Sequence, residues 1–265
     1  MSSESDPPMA ETPPLPADCT FDFTGRRVLV TGASRGIGRT LALAFARAGA
    51  DLVLTARSLP ALDETAAEAR ALGRDVICRA VDQQSVAAVQ EGLADLPPLD
   101  VLVNNAGIED VRPTLEVDEA LWDRIVDTNL KGAFFVAQAA ARSMADRGGA
   151  IINLASLTSF VGVPTATPYT ASKTGILGMT RAMAAEWAPL GIRVNAIAPG
   201  YFETGLTSTF YEDAGWVQAM TDSVPMGRLG NLDDLEGATL FLASSAARYI
   251  AGQCLAIDGG FLAKI

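Results

Sequence analysis

Ser156, Tyr169 and Lys173 stand in that order along the chain, and together they form a set for handling one proton. Tyr169 and Lys173 are four residues apart, so on a helix they share a face. A free phenol titrates near ~10, too high for a useful base at neutral pH, and a neighbouring ammonium favours the phenolate and lowers that value. Ser156 ends an apolar run and is placed to hydrogen-bond a substrate oxygen. Taken alone, a Tyr-x-x-x-Lys pair reads equally well as a solvated helix pair. Its context decides the matter.

That context begins upstream with Thr31-Gly32-Ala33-Ser34-Arg35-Gly36-Ile37-Gly38, which lies between a strand over Arg27 to Thr31 and a helix from Ile37. A strand that enters a helix through such a turn sets backbone N–H groups and the helix N-terminus against a pyrophosphate. Glycines permit the close approach. The spacing is G-x-x-x-G-x-G, and a tight turn of packing glycines would look the same. The strand before it and the helix after it favour binding, with contacts from Gly32, Ser34, Arg35, Gly36, Ile37 and Gly38. Asp82, after the third strand, is read as an acceptor for an adenine amino group or as a helix N-terminal acid. Asn104-Asn105-Ala106-Gly107 ends the fourth strand with small residues that admit a cofactor at Asn105, Ala106 and Gly107; an ordinary strand-end turn would share that composition. The two groups in one chain point to a nicotinamide dinucleotide and a hydride moved to or from a carbonyl carbon.

The elements that must hold these residues alternate regularly. Short β-branched runs fall at Arg27 to Thr31, Leu52 to Thr55, Val76 to Val81, Val101 to Val103, Ile151 to Leu154, Ile192 to Ile197 and Cys254 to Ile257, with Ala- and Leu-rich helical stretches between them. Alternation of this kind predicts βαβ units, a parallel sheet and right-handed crossovers. Near-continuous apolar strands predict a sheet covered on both faces. The expected fold is α/β, a single doubly wound parallel-sheet (Rossmann-type) domain over residues 21–265, preceded by a flexible Pro- and acid-rich tail over residues 1–20. Ser58 with Pro60 is expected to cap a helix running to Leu72, and Gly73 to end it. Pro199-Gly200 is expected to stop a strand and open a loop at the carboxyl edge of the sheet.

Composition excludes several function classes. Of 265 residues, 49% are hydrophobic and 19% charged, which is globular rather than disordered. The net charge of −11 argues against a nucleic-acid or polybasic membrane partner. No apolar run reaches a membrane span and no signal-peptide pattern stands at the start. The chain has no histidine, which removes a Ser-His-Asp triad and histidine-held metals. Cys19, Cys78 and Cys254 show no metal spacing, and their odd number argues against a disulfide framework. The reading is a reducing, cytoplasmic setting with no metal.

These residues resemble the short-chain dehydrogenase/reductase family in its single-domain form. The matches are Thr31-Gly32-x-x-x-Gly36-x-Gly38, Asp82, Asn104-Asn105-Ala106-Gly107, Asn129, Ser156, Tyr169-x-x-x-Lys173, Pro199-Gly200, Thr204 and Asp258-Gly259-Gly260. The resemblance implies that Tyr169 is acid in reduction and base in oxidation, and that Ser156 orients the carbonyl. It implies that Lys173 holds the nicotinamide ribose and tunes Tyr169, and that Asn129 positions a water leading from Lys173 to solvent. It also implies that Thr204 holds the carboxamide, with Pro199, Gly200 and Phe202 beside the cofactor. The segment Ala198 to Thr204 resembles gluconate 5-dehydrogenase-like and 3-oxoacyl-carrier-protein reductase-like branches. Net acidity argues against docking an acidic carrier, which favours a small polyol, sugar acid or related ketone. The alternatives are 3-oxoacyl-carrier-protein reductase and a non-catalytic dinucleotide-sensing protein. Such sensing proteins usually lack part of the proton-handling set, and this chain lacks none.

The end of the second strand sets the cofactor. NAD-preferring proteins of such folds place an acid there to accept from the ribose hydroxyls. Here Ala56 holds that position, Arg57 follows, and Arg35 sits in the glycine loop. Two guanidinium groups flanking one ribose predict a fork for a 2′-phosphate, and therefore NADP(H) in preference to NAD(H). The segment Thr170 to Trp187 is apolar nearly all round and Ala133 to Ala141 looks similar, which predicts burial against partner subunits; the resemblance suggests a homotetramer. Residues 201–226, with five aromatics and two glycines, are expected to close over substrate as a flap. Arg112 is read as a solvated arginine rather than a contact for an anionic substrate.

Overall fold

In the computed structural model, residues 20–203 and 211–264 are described. Seven strands form one sheet in the order β3-β2-β1-β4-β5-β6-β7, every neighbouring pair parallel. They are β1 (Arg27–Thr31), β2 (Asp51–Ala56), β3 (Val76–Ala80), β4 (Val101–Asn104), β5 (Gly149–Leu154), β6 (Ile192–Pro199) and β7 (Cys254–Ile257). The helices between them are α1 (Gly36–Arg47), α2 (Asp63–Ala71), α3 (Val86–Leu93), α4 (Glu119–Val126), α5 (Ala133–Met144), α6 (Thr167–Trp187), α7 (Ala214–Ser223) and α8 (Glu236–Ala243). The doubly wound Rossmann-type architecture expected from the sequence is the one observed.

The period of two along each strand divides its side chains between two cores. Val28 and Val30 of β1, Leu52 and Leu54 of β2, and Val101 and Val103 of β4 pack on one face with α1, α2 and α8. Leu29, Val53 and Leu102 point the other way, into a core shared with α3, α5 and α6. Both faces are dry, so a polar residue within a strand needs a partner, as Asn153 of β5 finds in Thr180 Oγ1 and Asn195 of β6 in the Ile250 carbonyl. That is why the strands read as mostly apolar runs.

The strand order reverses between β1 and β4, and a ligand crevice opens at the carboxyl ends of strands at such a point. The loops after β1, β2, β4, β5 and β6 all reach this edge. Helix starts differ from the sequence reading in detail. α1 begins at Gly36, one residue before the expected Ile37. Ser58 does not cap α2: the chain turns first through a 3₁₀ segment, Pro60–Leu62, whose preceding residue is Leu59, and no side chain caps either segment. Pro60 sets that first turn and moves the helix start downstream of the serine. Gly73 ends α2 as expected, with φ +79°. The expected flexible tail falls on residues 1–20, of which 1–19 lie outside the described residues.

Candidate active site

The crevice is a cavity of about 860 Å³ that joins two chemically different ends. At one end β1 passes into α1. Gly32 takes φ +65°, and a Cβ on Gly38 would stand 2.2 Å from the Gly32 carbonyl oxygen, so only glycine lets the strand end and helix start close together. β4 locks this turn. The Thr31 hydroxyl accepts from the backbone N–H groups of Asn105 and Ala106 at 3.0 and 2.9 Å, and Asn105 Nδ2 donates to the Thr31 carbonyl at 2.8 Å. α1 starts with no side-chain cap and no acid in its first turn. Its unpaired N–H groups and positive dipole end suit an anion. A pyrophosphate therefore fits this cradle on the geometry of the turn itself.

Gly32, Ser34, Arg35, Gly36, Ile37, Gly38, Arg57, Asp82, Asn105, Ala106 and Gly107 all line the cavity, as do Pro199, Gly200 and Phe202. Arg35 and Arg57 are exposed, and neither makes an ion pair among the described residues. Asp82 Oδ1 accepts from Gln84 N–H at 3.1 Å and closes a local turn. The helix that follows is capped by Ser85, which accepts from Ala88 N–H at 3.2 Å, so Asp82 is not its capping acid. Thr204 lies outside the described residues, as do residues 205–210 of the expected flap. Beyond them α7 is capped by Asp213, and its Trp216 packs edge-on against Tyr201 at 5.6 Å between ring centroids.

At the other end stand the proton-handling residues. Ser156 lies two residues past β5, while Tyr169 and Lys173 lie on α6, and all three line the cavity. Lys173 is buried, and its ammonium donates to the Leu154 carbonyl at 2.6 Å and sits 5.6 Å from the centre of the Tyr169 ring. Ser159, unremarked in the sequence, ties the group together. Its hydroxyl accepts from Ser156 N–H at 3.3 Å and donates to the Lys173 carbonyl at 2.8 Å, within a capping box opened by Ser156. The Ser-x-x-Ser spacing was the signal available for it.

Asn129 lies in a π-helical turn over Asp127–Gly132. Its side chain accepts from Ile108 N–H and donates to the Ile108 carbonyl, both at 2.8 Å, and donates to Ser172 Oγ at 3.2 Å. Ser172 Oγ in turn donates to the Tyr169 carbonyl at 2.7 Å. Asn129 thus clamps the loop after β4 to the helix that carries Tyr169. Such single π-turns recur at functional sites.

The electrostatics differ from the sequence expectation. Burial pushes the Tyr169 phenol above its ordinary range, the nearby Glu109 carboxylate pushes it further, and hydrogen bonding with Ser156 pulls it back. Burial lowers Lys173 as well, to about 8, against an upward pull from Glu109. Glu109 was missed at the sequence level: an acid in a loop has no periodicity to mark it.

Compared with known proteins, residues 32–262 match the family model described as enoyl-(acyl carrier protein) reductase. The chain belongs to the short-chain dehydrogenase/reductase family. Membership makes it an oxidoreductase of the nicotinamide-dependent kind that acts on CH–OH groups. It is 40% identical to gluconate 5-dehydrogenase of Gluconobacter oxydans (strain 621H) over 250 residues, covering 92% of this chain and 98% of that one. A solved Sinorhizobium meliloti 1021 structure, which bears a short-chain alcohol dehydrogenase name, is 56% identical with a TM-score of 0.87, covering 92% and 99%. The gluconate 5-dehydrogenase of Burkholderia cenocepacia J2315, solved with NADP and tartrate, is 39% identical with a TM-score of 0.89, covering 92% and 98%. Among the described residues no helix is long and apolar enough to cross a membrane, and no cluster of potential metal ligands occurs.

Proposed function

We propose that this oxidoreductase interconverts a secondary alcohol and a ketone on a small polyhydroxylated substrate, a polyol or a sugar acid, with NADP(H). The observation that carries the reading is one cavity holding both the glycine cradle with its two unpaired arginines and the Ser156, Tyr169 and Lys173 set. When bound, the nicotinamide supplies or accepts the hydride at the reacting carbon. Ser156 holds the substrate oxygen by hydrogen bonding. Tyr169, with its raised phenol pKa, is protonated at neutral pH and donates to the carbonyl oxygen in reduction. In oxidation it takes the hydroxyl proton, which requires Lys173 to be charged beside it. Lys173 spends one donor on Leu154 and keeps others for the nicotinamide ribose. Asn129 keeps the loop and helix in register, and Thr204 takes the carboxamide.

Arg35 and Arg57 hold the 2′-phosphate, and Asp82 faces the adenine. Relatives named for gluconate, one of them solved with NADP, support the substrate class and cofactor. We further place the protein in the cytoplasm as a homotetramer. Support for assembly comes from an apolar groove of about 700 Å³ between α5 and α6, walled by Leu130, Phe134, Met179, Met183 and Trp187. The test is NADP⁺ reduction, followed by nicotinamide absorbance, across a panel of polyols and sugar acids. No turnover with any of them, and none of their ketones reduced by NADPH, would refute the reading.

A further inference from the structure

The substrate end of the cavity is lined by Ile108, Glu109 and Val111 from the loop after β4, by Ser156 and Thr158 from the segment after β5, and by Tyr169 from α6. The loop after β4 is fixed in place. Asn129 holds both backbone groups of Ile108, and Arg112 N–H donates to the Thr165 carbonyl at 2.8 Å, pinning the loop to the segment that leads into α6. Glu109 lies between these two anchors. Its carboxylate has no hydrogen bond or ion pair among the described residues, and its field reaches both Tyr169 and Lys173. Burial raises its pKa, while Lys173 favours the ionised form.

The cations that a substrate carboxylate would need are committed elsewhere. Arg124 lines the cavity but pairs with Asp110 at 2.6 Å, and Arg112 pairs with the same carboxylate at 3.4 Å. Lys173 is buried and turned to the Leu154 carbonyl. Arg35 and Arg57 belong to the far end, beside the ends of β1 and β2. Residues 204–210, outside the described set, read Thr-Gly-Leu-Thr-Ser-Thr-Phe and contribute no base. A carboxylate that lines the cavity with no hydrogen bond or ion pair among the described residues can accept from a substrate OH. It opposes an anion, because like charges brought together out of water repel strongly.

Resting on the polyhydroxylated-substrate reading above, we infer that Glu109 is a specificity-determining residue. It accepts a hydrogen bond from a substrate hydroxyl and excludes a substrate carboxylate, so the site takes a neutral polyol or ketose in preference to a sugar acid. The test uses matched pairs with NADP⁺ at neutral pH: galactitol against galactonate, and glucitol against gluconate. In the unmodified protein kcat/KM for the neutral partner should exceed that for the acid by about tenfold or more, and in Glu109→Gln the ratio should shrink to within about threefold. A preference for the acid in the unmodified protein overturns the inference whether or not the variant folds, and so does an unchanged ratio in a folded variant. Failure of both pairs to turn over retires the polyhydroxylated reading alone. The charge claim is then read from NADPH oxidation by ethyl acetoacetate against acetoacetate: faster ester reduction in the unmodified protein supports it, and faster acid reduction overturns it.

Discussion

Replacing Arg57 with Ala isolates the charge that selects between the two nicotinamide cofactors. Arg57 follows β2 directly, where Ala56 stands in place of an acid, and it shares a cavity wall with Arg35 of the glycine loop. Neither guanidinium has an ion pair among the described residues, so nothing in the protein must be broken before a phosphate is met. A hydrogen bond to a charged group contributes about 1.5–3 kcal/mol. Both side chains are exposed, and solvent and salt weaken such contacts. That brings the contribution down to about 1–2 kcal/mol, or roughly five- to thirtyfold in Kd. NADH lacks the 2′-phosphate and should lose almost nothing. Titration of the protein with NADPH and with NADH, followed by nicotinamide fluorescence at two salt concentrations, reads all of this. The NADPH penalty should also shrink at higher salt. Equal losses for the two cofactors would show that Arg57 supports the pocket rather than the phosphate. No loss for NADPH would remove Arg57 from the site.

Tyr169→Phe should lower kcat by about a hundredfold or more with NADPH affinity nearly unchanged, because only the transferable proton is lost; a near-normal rate would end its assignment as acid and base. Lys173 has its pKa lowered by burial from 10.5 to about 8, so in the ligand-free protein the unfolded chain holds more protons than the folded one between those values, and stability from this group rises with pH across that window. Lys173→Met should remove that rise, read as a melting-temperature difference between unmodified protein and variant that grows in favour of the unmodified protein from about pH 8 to 10; a flat difference would contradict it. Phe134→Glu, in the groove between α5 and α6, should break the assembly into smaller species by light scattering at micromolar concentration, and an unmodified protein that is already monomeric would refute the assembly proposal.

The strands were legible because both faces of the sheet are dry. Val28, Leu29 and Val30 must all be apolar when alternate residues enter different cores, and this leaves a run that periodicity cannot mistake for an exposed strand. The glycine loop was legible for a related reason: closing β1 onto α1 leaves no room for a Cβ at Gly38, so geometry writes itself into residue type. Tyr169 and Lys173 were legible as neighbours through helical spacing, but their titration was not. Spacing says that two groups are close; it does not say that Lys173 turns to the Leu154 carbonyl, or that burial acts on both groups at once.

The substrate end was the least legible part, and the reason is physical. Its character depends on which charges are already spent. In the sequence, Glu109, Asp110, Arg112 and Arg124 are two acids and two bases, a neutral set that offers no preference for any substrate. In three dimensions Asp110 takes both arginines, across two and fourteen residues of chain. Glu109 is left over beside Tyr169. Pairing of this kind is set by loop conformation, which in turn depends on the Asn129 clamp on Ile108 and on the contact between Arg112 and Thr165. Reaction chemistry can therefore be read from residue types at fixed spacing, because helices and strands carry those spacings into space. Substrate charge cannot be read the same way, since it is the remainder after ion pairs that no regular element dictates.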